Sequence, residues 1–232
     1  STPFSRKAVD RLAKFKVKAF KIGSGECNNY PLVDYIASFG KPIIISTGMN
    51  DINSIKKAVK ILKKRKVQHA ILHTTNLYPT MHDQVRLNAL LELKKKFPNT
   101  VLGLSDHTGD NYSSYASIAL GASIIEKHFI DNNSRKGPDI SASVNTKQMI
   151  DLIKGVNLIH KAIPGGIKPI PREKKTANFA FASVVANQDL KKGTILDQNN
   201  IWVRRPGNGD FSALGYYSLI GKKIKSKVKK NT

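Results

Sequence analysis

The sequence predicts an α/β protein: a partial (β/α)8 TIM barrel, about the last five to six βα units, followed by a small β-rich module. Three observations predict it. Apolar strand-like runs alternate with amphipathic helical stretches, at intervals of about 20–30 residues, over the first 160 positions. Each run ends in small polar residues, and two of them end in histidine. The alternation stops at Ile163-Pro164-Gly165-Gly166-Ile167-Lys168-Pro169-Ile170-Pro171, whose three prolines each lack a backbone donor.

In chain order, Ser1 to Phe4 reads as the end of an earlier strand. Complete strands are expected at Ala19–Ser24, Pro42–Thr47, Ala70–Thr75, Val101–His107 and Ile124–His128. Helices are expected near Arg6–Phe15, Tyr30–Phe39, Ile52–Lys64, Val85–Lys96, Tyr112–Leu120 and Thr146–Ile163. Strand, helix, strand makes a βαβ unit, and such units build parallel sheets. An open doubly wound sheet is the competing fold, but no Gly-x-Gly-x-x-Gly follows the first complete strand. Residues 1–163 are thus read as the C-terminal part of a barrel, 164–176 as a linker, and 177–232 as the small module. In that module Ala182–Ala186 and Asn200–Val203 read as short strands, and its own core would be marginal.

The net charge of +23 raises the possibility of a nucleic-acid binder. The distribution argues against it. Lys63-Lys64-Arg65-Lys66 and Lys94-Lys95-Lys96 fall at the ends of expected helices, where cations suit the macrodipole. Aromatic residues make up 7% of the chain and do not interleave with the basic runs as stacking platforms would. No apolar run approaches the roughly 18–20 residues of a membrane span. The lone Cys27 excludes an intrachain disulfide and fits a reducing compartment, so a cytoplasmic protein is expected.

The chemistry gathers at the strand ends. Lys21 and Ser24, Ser46 and Thr47, Thr75 and Asn76, Ser105 with His107, and Glu126 with His128 would share one rim. Hydroxyls, amides and one ammonium suit a phosphate or carboxylate. Lys21 lies inside an apolar strand, so it either meets an anion or points outward between helices. His107 and His128 are either half of a metal site or two satisfied buried polar groups. Asp106 either orients His107 or caps the following helix. His69, His73, His82 and His160 lie off this pattern.

These residues carry a resemblance. Phe20-Lys21-Ile22-Gly23-Ser24-Gly25-Glu26-Cys27-Asn28-Asn29-Tyr30-Pro31 is similar to a signature of the sialic acid (N-acetylneuraminate) synthases. So are Ser46-Thr47-Gly48-Met49, Thr75-Asn76-Leu77-Tyr78-Pro79-Thr80, Gly103-Leu104-Ser105-Asp106-His107-Thr108 and Gly137-Pro138-Asp139. The second module resembles that family's SAF (antifreeze-like, β-clip) domain through Phe179-Ala180-Phe181-Ala182-Ser183 and Arg204-Arg205-Pro206-Gly207-Asn208-Gly209-Asp210-Phe211.

The resemblance implies condensation of phosphoenolpyruvate with an N-acetylated mannose-type sugar to a nonulosonic acid. It implies that His107 and His128 ligate Mn²⁺ or Mg²⁺. Thr2, Lys21, Ser24, Ser46, Asn76 and Ser105 match positions that hold phosphoenolpyruvate. Glu26, Tyr78 and Asp139 match positions near the sugar or the attacking water, with Glu26, Lys21 and Asp139 as catalytic candidates. Arg205 and Phe179 match residues that the SAF domain of a partner subunit brings to the site, which implies a domain-swapped homodimer. The family's upstream strands carry another phosphoenolpyruvate-binding lysine and serine that are absent here. The chain is therefore expected to be an N-terminally truncated stretch, inactive and poorly soluble alone. Lys222 to Thr232 reads as lacking the module's last apolar turn. The alternatives are an inactive remnant or a carbohydrate-binding module of the same fold, and then the basic nucleic-acid binder.

Overall fold

The structure, a computed structural model, describes residues 1–132 and 134–232. The chain divides into two compact units, Ser1–Pro164 and Gly165–Thr232. In the first, six parallel strands lie in sequence order: β1 (Phe20–Ile22), β2 (Ile43–Ser46), β3 (His69–Thr74), β4 (Val101–Asp106), β5 (Ile124–Phe129) and β6 (Ser143–Val144). Six helices belong to the same unit: α1 (Arg6–Lys14), α2 (Tyr30–Ala37), α3 (Ile52–Lys64), α4 (Asn88–Lys96), α5 (Tyr112–Ala119) and α6 (Thr146–Ala162). This is the expected α/β architecture of a partial barrel.

Side-chain alternation sorts each strand into two faces. Phe20, Ile22, Ile43, Ile45 and Ile71 pack against Val9 of α1, Leu32, Val33 and Ile36 of α2, and Val59 and Leu62 of α3 in one buried cluster. The intervening residues, Lys21, Ile44, Ser46, Leu72 and Thr74, therefore face the other, concave side. Helix ends follow local chemistry. Asp51 caps α3 by accepting from the Ser54 N–H at 2.7 Å, and Asn145 with Gln148 forms a reciprocal capping box on α6. Cys27 is fully buried, which pushes its thiol up to about 12 and leaves an inert core residue.

Several elements differ from expectation. Ser1–Phe4 forms no strand, although the Lys21 N–H donates to the Ser1 carbonyl at 2.8 Å and lays that segment beside β1. Helix α4 starts at Asn88 rather than Val85, because a 3-10 turn at His82–Gln84 leads into Arg86, whose φ of 57° interrupts helical winding. The two-residue β6 is too short for periodicity to reveal. In the second unit, α7 (Lys174–Ala180) occupies residues read as linker and module start. That unit also holds the antiparallel pair β7 (Ser183–Ala186) and β8 (Ile201–Arg204), then α8 (Tyr216–Leu219). Its core is Ala186, Leu190, Leu196, Ile201 and Tyr216, with Ile224 and Val228 packed against it. The lysine-rich end is thus not devoid of an apolar turn. Its Val228 bridges Leu190 and its Lys223 bridges Ile195.

Gly103 of β4 faces the concave side, where a Cβ would lie 2.4 Å from the Ile124 carbonyl oxygen and 2.5 Å from Leu72 Cδ2. The first obstacle is backbone and cannot rotate away. Gly103→Ala is expected to destabilise the first unit by about 1–3 kcal/mol. A lower urea midpoint at unchanged slope would register that loss, and an unchanged midpoint would refute the close-packing argument.

Candidate active site

Lys21 supplies the first cluster. Its Nζ donates to Ser46 Oγ at 2.8 Å and pairs with Glu126 Oε2 at 3.1 Å. Lys21 sits on β1 and Glu126 on β5, with three strands between them. Four strand spacings in a flat sheet would span about 19 Å. The contact exists because the sheet curls and brings the two strand ends toward one another. The lysine thus meets an anion, and the outward-pointing alternative is eliminated. Its side chain is 14% exposed against 43% for Glu126, so the pair opens to solvent on the carboxylate side.

A second cluster joins the ends of β1, β2 and β3. Ser24 Oγ accepts the Gly48 N–H at 3.0 Å, and Asn50 Nδ2 donates to the Ser24 carbonyl at 2.9 Å. Gly48 has no room for a side chain, since a Cβ would lie 2.2 Å from Asn76 Oδ1 and 2.9 Å from Ser24 Oγ. Asn76 Oδ1 is buried without a hydrogen-bond partner. A buried orphan acceptor beside a glycine cradle fits a site that receives a polar ligand.

The histidines form the third cluster. Their ring centroids lie 5.2 Å apart, with the planes at 66°. The Tyr78 ring stacks on His107 at 4.3 Å and stands edge-on to His128 at 5.6 Å. His107 Nδ1 lies 2.8 Å from the Thr75 carbonyl oxygen. A carbonyl only accepts, so this nitrogen carries the proton and Nε2 keeps a free lone pair. His128 Nδ1 lies 3.8 Å from Asp139 Oδ2. Burial pulls the His107 pKa below its ordinary value; the Thr75 carbonyl opposes and nearby His128 adds to the lowering. Burial, then the Asp139 and Glu126 carboxylates, push the Tyr78 phenol up and keep it protonated. Two neighbouring imidazoles are a donor set that fits a divalent cation. Among the described residues no group of three or more His, Cys, Asp or Glu is placed to hold a metal.

The structure thus brings together Lys21, Ser46 and Glu126, then Ser24 and Asn76, then His107, His128, Tyr78 and Asp139. Buried Ser105 pairs in register with Thr74 and belongs to the same rim. Thr2 lies beside Gly23, where a Cβ would meet its Cγ2 at 3.8 Å. Glu26 accepts from Asn29 Nδ2 at 2.6 Å. Phe179, 71% exposed on α7, and Arg205 belong to the second unit. Arg205 there lines a cleft of about 870 Å³ together with Asp210 and Phe211.

Asp106 does not cap the following helix. It touches no imidazole, and α5 begins after Asn111 instead. Its carboxylate accepts from the Thr108 N–H at 2.9 Å and Ser114 Oγ at 2.6 Å, and it pairs with Lys127 at 3.1 Å. Sequence reasoning passed over Lys127, yet the test applied to Lys21, a lysine inside an apolar strand, would have found it. Glu126 was placed on the rim without a role, since its partner is 105 positions away.

His73 is buried on β3 with Nε2 2.7 Å from the Val85 carbonyl oxygen, and burial lowers its pKa as it lowers that of His107. Around the ordinary value of 6.5 the unfolded chain binds more protons than the folded one. The stability these two groups contribute is present above that value and is lost as pH falls through their folded pKa values. Thermal midpoints should therefore fall on acidification from pH 7 to 5. His73→Gln, which keeps a donor without a titrating ring, should reduce the slope; an unaltered slope would contradict the assignment.

The chain matches the family model of the NeuB family over residues 1–168 and that of the SAF domain over residues 181–232. It is 40% identical over 226 residues to an N,N'-diacetyllegionaminic acid synthase of Campylobacter jejuni, which covers 96% of this chain and 67% of the relative. It is 32% identical over 218 residues to the human N-acetylneuraminate-9-phosphate synthase, covering 94% of this chain and 61% of that protein. The crystal structure of the N-acetylneuraminic acid synthetase of Leptospira borgpetersenii aligns with a TM-score of 0.72 at 30% identity, over 75% of this chain and 61% of that one. The chain therefore spans about three fifths to two thirds of the length of these proteins. On its matched sequence and its curled parallel sheet, this chain belongs to the NeuB family and carries that family's SAF domain.

Proposed function

We propose that the rim binds phosphoenolpyruvate and condenses it with an N-acetylated amino sugar, giving a nonulosonic acid and phosphate. The observation that carries this reading is Lys21 Nζ, held by Ser46 and Glu126 at the mouth of the concave face. A buried cation with one solvated anionic partner can receive a second anion by exchange or addition. Ser24, Ser46, Asn76, Ser105 and Thr2 complete the oxygen shell of the phosphate and carboxylate. His107 and His128 are the residues to hold a divalent cation, Mn²⁺ or Mg²⁺. That ion would supply a Lewis acid for the aldehyde oxygen of the open-chain sugar.

The enol carbon of the phosphoenolpyruvate attacks the aldehyde carbon as the C=C and C=O π bonds break; the aldehyde oxygen becomes an alkoxide that takes up a proton, and the resulting cationic carbon captures water. Glu26 or Asp139 takes the proton from that water. Phosphate then leaves, and Lys21 with the serines stabilises the departing charge. Asp139 and Tyr78 orient the sugar, and Arg205 and Phe179 reach its N-acetyl end from a partner subunit in a domain-swapped homodimer. Candidate sugars are N-acetylmannosamine, a 2,4-diacetamido-trideoxy-mannose and a related altrose. Names of relatives that act in legionaminic, pseudaminic and sialic acid synthesis support this class. A cytoplasmic setting suits a chain whose lone cysteine is buried and in which, among the described residues, no helix is long and apolar enough to cross a membrane.

Three measurements test the reading. Phosphoenolpyruvate affinity, titrated calorimetrically in Mn²⁺, should fall about tenfold or more in Lys21→Met, the loss expected of one hydrogen bond to a charged group. Equal affinity in the variant would refute the anion site. Phosphate release should require both a divalent cation and one of the three sugars, and His107→Ala should abolish it. Mass spectrometry should then find a product equal to the sugar plus one pyruvate. Phosphate release that ignores the sugar would sink the condensation.

A further inference from the structure

Behind the two histidines, on the helix-facing side of the sheet, lies an ion pair that touches no proposed substrate group. The Lys127 side chain is 2% exposed and that of Asp106 is fully buried. Lys127 Nζ pairs with Asp106 Oδ2 at 3.1 Å and donates to the Thr108 carbonyl at 2.5 Å and to Thr108 Oγ1 at 3.1 Å. The ammonium thus finds three oxygen partners for its three protons. Asp106 is satisfied in turn by the Thr108 N–H and by Ser114 Oγ.

The placement of these partners is the informative point. Asp106 and Thr108 are the two residues that flank His107, and Lys127 immediately precedes His128. The β4–β5 register runs from Gly103↔Ile124 to Asp106↔Lys127 and ends there. His107 and His128 therefore lie one residue past the last β4–β5 register pair, at the end of that ladder. One buried cation gripping both sides of His107 adds a side-chain tie at the end of that ladder. A buried ion pair is poor evidence for stability, because desolvation offsets its attraction. What it supplies well is registry, since each alternative arrangement would strand a charge away from water.

We infer that Lys127 and Asp106 are positioning residues that fix the separation and orientation of the His107 and His128 imidazoles. The effect expected on metal affinity rests on the proposed role of those histidines; the effect on ring geometry does not.

The decisive variant is Asp106→Asn combined with Lys127→Met, made in the full chain, which removes both charges and leaves neither buried alone. Far-UV circular dichroism and a thermal melt confirm that it folds. Imidazole ¹H–¹⁵N correlation spectra should then show the His107 and His128 nitrogens shifted, and His107 no longer in its single Nδ1–H form. The signals of exposed His160 on α6 should stay in place. Mn²⁺ affinity, followed by electron paramagnetic resonance, should fall about 10- to 100-fold, the usual cost of losing an outer partner of a metal ligand. A folded variant with unmoved His107 and His128 signals overturns the proposal. Shifted signals in a chain that never takes up Mn²⁺ uphold the positioning role and refute the metal reading. Should the double variant fail to fold, Thr108→Val removes only the hydroxyl partner and decides the matter: the same resonances should move by less, and unmoved signals overturn the proposal.

Discussion

The site depends first on parallel register. In a parallel ladder every strand points the same way, so equivalent positions arrive at one edge of the sheet. Ser46 pairs with Leu72, Thr74 with Ser105, Ser105 with Glu126, and His128 with Ser143. A slip of one residue in β5 would turn Glu126 and His128 toward the helices and Lys127 into the pocket. Lys21 would lose its carboxylate, and the two imidazoles would part. The helices oppose the slip from outside, because Ile125 of β5 packs against the cluster of Leu90 on α4 and Ile118 on α5.

The same strand ends keep two lysines in opposite environments. Lys21 looks into the concave face and shares Glu126 with solvent. Lys127 looks toward α5, where burial pulls its pKa below the ordinary lysine range and Asp106 opposes that shift. One cation shares a carboxylate that opens to solvent; the other is sealed with a resident one. Neither resembles the surface pair of Arg65 with Asp34, both about two-fifths exposed, which water screens on all sides. The large positive charge of the chain is thus a poor guide to these two lysines, which are distinguished by their neighbours.

Much of this was legible in the sequence because it is local. The bounds of α3 match expectation to the residue, since Asp51 caps its start and a basic turn closes its end. The five long strands were legible from their apolar runs, and Lys21, His107 and His128 from interrupting them. What was illegible is either short or distant. Two-residue β6 has no period to detect. Arg86 breaks α4 by a left-handed backbone that an arginine does not advertise. Helix α7 lies among residues whose nearby prolines suggested a linker. The partner of Glu126 is fixed by sheet curvature, which no window of sequence encodes. The lysine-rich end hid Ile224 and Val228 because charge density masked two apolar residues four apart.

The loop after β3 shows how such distant constraints converge on one ring. Thr75 offers its carbonyl to His107 Nδ1 and so decides which nitrogen stays free. Thr80, buried, returns its N–H to the His107 carbonyl at 2.9 Å, while its hydroxyl binds the Leu77 carbonyl at 2.8 Å. Between these anchors Asn76 holds an unpartnered acceptor and Tyr78 covers the imidazole face. The ring is thus tied in front by Thr75, through its own backbone by Thr80, and from behind by the Lys127 grip on its neighbours. A histidine kept only for packing would need one satisfied nitrogen and a close fit. Three independent restraints that leave Nε2 free are better explained by a lone pair that must point in one direction.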